Sequence, residues 1–117
     1  MTETNDFEAY VALAWGRLLR SAWLLTGDWH RAEDLVQTVL ARAYGRWPRL
    51  RDGAPDAYLR AMLATTYLSW WRRKWRDEVP VEEPPPTTLV GLRDIVESVG
   101  PLVPAGLSVS VALFVTF

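Results

Sequence analysis

Between Tyr67 and Arg76 the chain reads Tyr-Leu-Ser-Trp-Trp-Arg-Arg-Lys-Trp-Arg, four aromatic rings and four cationic heads within ten residues. Guanidinium and ammonium groups neutralise phosphates, and indole offers an unstacked base the largest flat apolar face among the side chains. Clustered tryptophans add little to the reading of a closed duplex groove, so the interleaving points to opened or single-stranded nucleic acid. A second use of the same residues stands beside it: tryptophans at the end of an amphipathic helix fill cores, and a basic helix end complements the macrodipole.

The charge distribution favours an anionic partner. The net charge is −1, yet from Arg17 to Arg76 there are twelve Arg and Lys against five Asp and Glu, with Glu3, Asp6 and Glu8 before this stretch and Asp77, Glu78, Glu82 and Glu83 after it. A segregated positive middle is an electrostatic footprint that the summed charge conceals. Catalytic alternatives are poorly supplied. No cysteine is present, which removes thiolate metal sites, disulfides and cysteine nucleophiles. The single histidine, His30, has no oriented base and nucleophile set around it, and Glu33 and Asp34 point to different sides of their helix. The expectation is a binding protein, with no enzymatic activity, no cofactor and no metal. The polar, acidic start Met-Thr-Glu-Thr-Asn-Asp lacks the features of a signal peptide, which places the protein in the cytoplasm.

Helices must position these groups. Phe7, Val11, Ala14, Leu18, Ala22 and Leu25 recur at steps of three and four, predicting a helix over about 6–26 that stops at Thr26-Gly27. Asp28 caps a second helix whose stripe Ala32, Leu35, Val36, Val39, Leu40, Ala43 and Trp47 ends at Pro48; its other face carries Asp34, Gln37, Thr38 and Arg42. Arg49 to Ala54 is a short basic loop, and Pro55 with Asp56 suits the first turn of a third helix. There Leu59, Met62, Leu63, Thr66 and Trp70 are expected to face inward, while Arg60, Ala64, Tyr67, Trp71 and Lys74 fall on another side, leaving Tyr67 and Trp71 partly exposed.

Four prolines between Val79 and Thr88 predict an extended linker, and Leu89 to Val99 a short helix. Ser98 to Phe117 is uncharged, but Pro101, Pro104 and Gly106 break it, leaving about eleven residues, too few to span a bilayer as a helix. The expected architecture is all-α: a compact bundle of three main helices over 1–78, a proline-rich linker over 79–88, and an incomplete C-terminal segment over 89–117.

The run Gly-Asp-Trp-His-Arg-Ala-Glu-Asp-Leu-Val-Gln-Thr-Val at 27–39, the basic loop and the Trp-Trp-Arg-Arg-Lys-Trp-Arg end of the third helix together resemble region 2 of bacterial RNA polymerase sigma factors of the extracytoplasmic-function group, over roughly residues 6–78. The resemblance implies a protein that docks on core RNA polymerase and recognises and melts the promoter −10 element. It implies that Asp34, Gln37 and Arg42 face a coiled coil of the polymerase β′ subunit. It implies that Arg49, Arg51, Tyr58, Arg60, Tyr67, Trp71, Arg72, Arg73, Lys74 and Arg76 face DNA, and that an anti-sigma factor is a candidate regulator. Full members carry a further domain, region 4, whose opening Leu89 to Phe117 resembles. The competing class is a helical protein-interaction module, or a truncated fragment, that never touches DNA.

Overall fold

The computed structural model describes residues 2–76 and 85–99, with side chains for 6–73 and 85–97. Among these residues the elements are all helical: α1 (Thr2–Thr26), α2 (Trp29–Leu50), α3 (Pro55–Arg76) and α4 (Thr87–Val99). The helix ends follow local chemistry. Gly27 adopts φ 68°, a left-handed conformation that glycine enters without steric cost, and its N–H donates to the Trp23 carbonyl to close α1. One residue on, the Asp28 carboxylate accepts from the amides of His30 and Arg31 and caps α2 as the sequence predicts. Pro48 does not end α2, which runs on to Leu50. Proline has no amide to donate back along the helix, and at this exposed position α2 continues past it.

α1 and α2 are antiparallel neighbours. An aromatic cluster locks the start of α1 to the end of α2, with Phe7 edge-on to Tyr44 and to Trp47 and Tyr10 tilted against Trp47, all at 5.3 Å between ring centres. Beyond this cluster the core is mostly aliphatic, with Leu18 and Leu25 of α1, Leu35, Val36 and Val39 of α2, and Leu59 and Leu63 of α3 fully buried, joined by the rings of Tyr67 and Trp71.

Among the described residues four helices are present, the three main ones and the short one expected over Leu89–Val99, and α4 is packed into the bundle. α4 packs on both α1 and α3, burying Leu92 and Ile95. The Thr88 hydroxyl donates to the Leu25 carbonyl at 2.7 Å, satisfying one of the acceptors that the last turn of α1 leaves open. Gly91 permits the approach: a Cβ there would lie 3.0 Å from the Leu24 side chain. Residues 77–84 and 100–117, which hold most of the linker and the uncharged segment, lie outside the described residues.

Candidate nucleic-acid interface

A cationic groove of about 850 Å³ runs between the second half of α2, the loop at 51–54 and the first half of α3. Its α2 wall carries Arg42, Arg46 and Arg49, spaced by four and three residues and therefore on one side of the helix. Leu50, Ala61 and Met62 provide apolar surface, Thr65 and Thr66 provide hydroxyls, and the loop contributes Gly53 and Ala54. No carboxylate lines it among the described residues. The Arg46 guanidinium donates to the Tyr58 phenol oxygen at 2.8 Å, tying an exposed ring to a charge across the groove. Arg42 donates to the Thr66 hydroxyl at 3.3 Å. Guanidinium groups beside an accessible ring and an apolar floor suit a phosphodiester strand with an unstacked base.

The sequence-predicted residues divide among several places. Arg49 and Tyr58 meet in the groove. Arg42, expected beside Asp34 and Gln37 on the polymerase face, lies in the groove instead. Asp34 and Gln37 are exposed on the outer side of α2. Successive steps of 100° carry a position eight residues on about 80° round the helix, enough to bring Arg42 to the flank facing α3. Arg51 is held elsewhere: its guanidinium pairs with Asp6 at 3.3 Å and with Asp52 at 3.9 Å. Arg60 lies on the opposite side of α3, in a hollow shared with Arg17, Arg20 and Asp94.

Tyr67 and Trp71 are not the partly exposed rings expected from their stripe; they are 5% and 4% exposed. They pack edge-on at 6.2 Å, and Arg31 and the half-buried Trp70 share the shallow hollow beside them. The cause is the number of neighbours. α3 contacts α1, α2 and α4, so it buries a wide arc that includes Ala64, Tyr67, Leu68 and Trp71 as well as Leu59 and Leu63. A single-stripe expectation underestimates the buried arc of such a helix. Arg72 and Arg73 are exposed beyond this point, whereas the side chains of Lys74 and Arg76 lie outside the described set. Arg46, Met62, Thr65 and Thr66 were missed as groove residues; the arginine spacing at 42, 46 and 49 was the available signal.

The groove is positioned from α1 as well. Asp56, in the first turn of α3, accepts hydrogen bonds from the Tyr10 hydroxyl and from Arg17, whose guanidinium lies 3.0 Å from the carboxylate. Burial, followed by the hydrogen bond to Asp56 and its negative charge, holds the Tyr10 phenol far above the usual tyrosine range. None of the described residues form a cluster of three or more His, Asp or Glu able to hold a metal ion, and no described helix is long and apolar enough to cross a membrane.

The helical architecture and the arginine-lined groove suit an anionic partner, and comparison with known proteins adds the family. Residues 6–77 match the Sigma-70 region 2 family, so the chain belongs to that family. It is 46% identical to the RNA polymerase sigma-E factor of Streptomyces coelicolor over 86 residues, 73% of this chain and 49% of that protein. The RNA polymerase sigma-E factor of Streptomyces avermitilis is 45% identical over 84 residues, 71% of this chain and 47% of its own length. The ECF RNA polymerase sigma factor SigE of Mycolicibacterium smegmatis is 30% identical over 80 residues, 60% of this chain and 31% of that one. The chain thus spans about half the length of its two more similar relatives. No solved structure matches.

Proposed function

We propose that this chain is the region 2 module of a sigma factor, binding core RNA polymerase and promoter DNA in the cytoplasm and engaging the melted strand of the −10 element. It acts by binding; no reaction is assigned to its residues. The observation that carries the DNA half is the groove that Arg42, Arg46 and Arg49 line together with the Tyr58 ring, with no lining carboxylate among the described residues. The strand lies along α2 and the 51–54 loop, its phosphates on the arginines and one base against Tyr58. Arg72 and Arg73 extend the cationic track. Asp34 and Gln37, on the outer side of α2, meet the β′ coiled coil, and an anti-sigma factor regulates access.

Melting costs about 1.4 kcal/mol of stacking per base step, and one aromatic contact returns roughly 1–3 kcal/mol per base. A single exposed ring therefore offsets about one step, so opening relies on polymerase for the remainder. The deciding experiment is capture by core polymerase followed by transcription from duplex and pre-melted templates. Capture with activity on the pre-melted template is expected. In direct binding, single-stranded DNA should outcompete duplex, with log K against log salt sloping between about −2 and −3.5 for three to five phosphate contacts.

The burial of Tyr67 and Trp71 favours one alternative, a protein-interaction module that binds polymerase without touching DNA. Capture without strand preference or salt dependence would establish that alternative.

A further inference from the structure

The four-residue loop at 51–54 that walls the groove is tethered on both sides to the same helix. On its N-terminal side Arg51 pairs with Asp6 of α1 at 3.3 Å. On its C-terminal side Asp56 receives the Tyr10 hydroxyl and the Arg17 guanidinium, also from α1. Between these tethers Phe7 and Tyr10 pack on Trp47, fixing α1 to the part of α2 that leads into the loop. The Gly53 amide donates to the Leu50 carbonyl at 3.1 Å, and the Tyr58 amide to the Ala54 carbonyl at 3.1 Å, so the position of the loop is passed directly to the first turn of α3 and to the Tyr58 ring.

We propose that α1 sets the width of the groove through these two tethers, and that Arg51 and Asp56 are positioning residues for the strand and not contacts to it. The inference rests on the nucleic-acid reading of the groove. It has a consequence of opposite sign to simple electrostatics. Removing a carboxylate close to a cationic groove raises affinity for a polyanion when only charge matters. If Asp6 and Asp56 hold the loop, removing either lowers affinity although the protein becomes more positive.

The test is a titration of a labelled single-stranded DNA oligonucleotide into the full chain and its variants, with the thermal midpoint measured for each. Asp6→Asn and Asp56→Ala should each weaken binding about two- to fivefold, the scale set by exposed ion pairs. The salt slope should stay at the native value in Asp6→Asn and Arg51→Gln, because no phosphate contact is lost, whereas Arg49→Ala should reduce it by about 0.7. The exchange Asp6→Arg with Arg51→Asp keeps the net charge and should restore the affinity that Arg51→Asp alone loses. Unchanged or tighter binding by Asp6→Asn and Asp56→Ala, or a reduced slope in Arg51→Gln, overturns the inference. Arg46→Ala and Tyr58→Ala serve as controls: if neither weakens binding, the nucleic-acid reading itself fails and takes this inference with it.

Discussion

Replacing Trp71 by alanine separates burial from stacking in one variant. The indole is 4% exposed, so nearly all of an aromatic surface of roughly 150–250 Å² is out of water. At about 25 cal/mol per Å² that surface corresponds to roughly 4–6 kcal/mol, an upper bound because the unfolded chain already covers part of it. Measured truncations of buried Phe or Trp to Ala cost about 3–5 kcal/mol, and the expected loss here is about 4 kcal/mol. With a urea slope of about 2 kcal/mol per molar, the midpoint should fall by about 2 M, followed by far-UV circular dichroism at low temperature so that a folded baseline survives. The half-buried Trp70 is the internal comparison, and its alanine variant should lose clearly less. Single-strand affinity, corrected for the folded fraction, should change little in Trp71→Ala. A midpoint shift below about 0.5 M accompanied by a loss of affinity of about tenfold would refute the reasoning, since that pattern belongs to a ring stacked on a base.

Three further outcomes follow from the packing. Thr88→Val keeps the shape of the side chain but leaves the buried Leu25 carbonyl without its donor, and urea melts should show a loss of about 1–3 kcal/mol; an unchanged midpoint would mean that α4 adds nothing to the bundle. Gly27→Ala should destabilise by about 1–2 kcal/mol, since φ is 68° and a Cβ would stand 2.9 Å from the Pro85 ring; a neutral result would exclude the observed turn. Because the Tyr10 pKa is raised on folding, the contribution of that phenol is fully present below the unfolded value of about 10 and declines as pH rises above it, where the unfolded chain releases its proton first. Thermal melts should show stability falling above about pH 10, and Tyr10→Phe should flatten that fall; an equal fall in both proteins would assign it to other groups.

Much of the local structure was legible in the residues. Asp28 as a cap, Gly27 as a stop and Pro55 with Asp56 as a start are short-range effects, decided within a few residues. The inward stripe of α2 was equally plain, because that helix has one buried side: Ala32, Leu35, Val36, Val39, Leu40, Ala43 and Trp47 are all buried. The positive middle of the chain and the family run at 27–39 pointed to nucleic acid and to sigma region 2, and the Sigma-70 region 2 match over 6–77 agrees.

Tertiary packing decided what periodicity could not. α3 carries apolar residues around much of its circumference, and only the presence of α1, α2 and α4 around it determines that Tyr67 and Trp71 go inside while Tyr58 stays out. The grouping of Arg42 with Arg46, Arg49 and Tyr58 depends on which flank of α2 meets α3, and the pairing of Arg51 with Asp6 joins residues 45 positions apart. The sequence by itself determined the turn between α1 and α2, the start of α3 and the positive middle of the chain, since these are set by neighbouring residues; it placed the start of α1 and the end of α2 a few residues too far inward. Which rings and which arginines are free to meet a partner was decided by the packing of one helix against another, an energy that exists only once distant segments have come together.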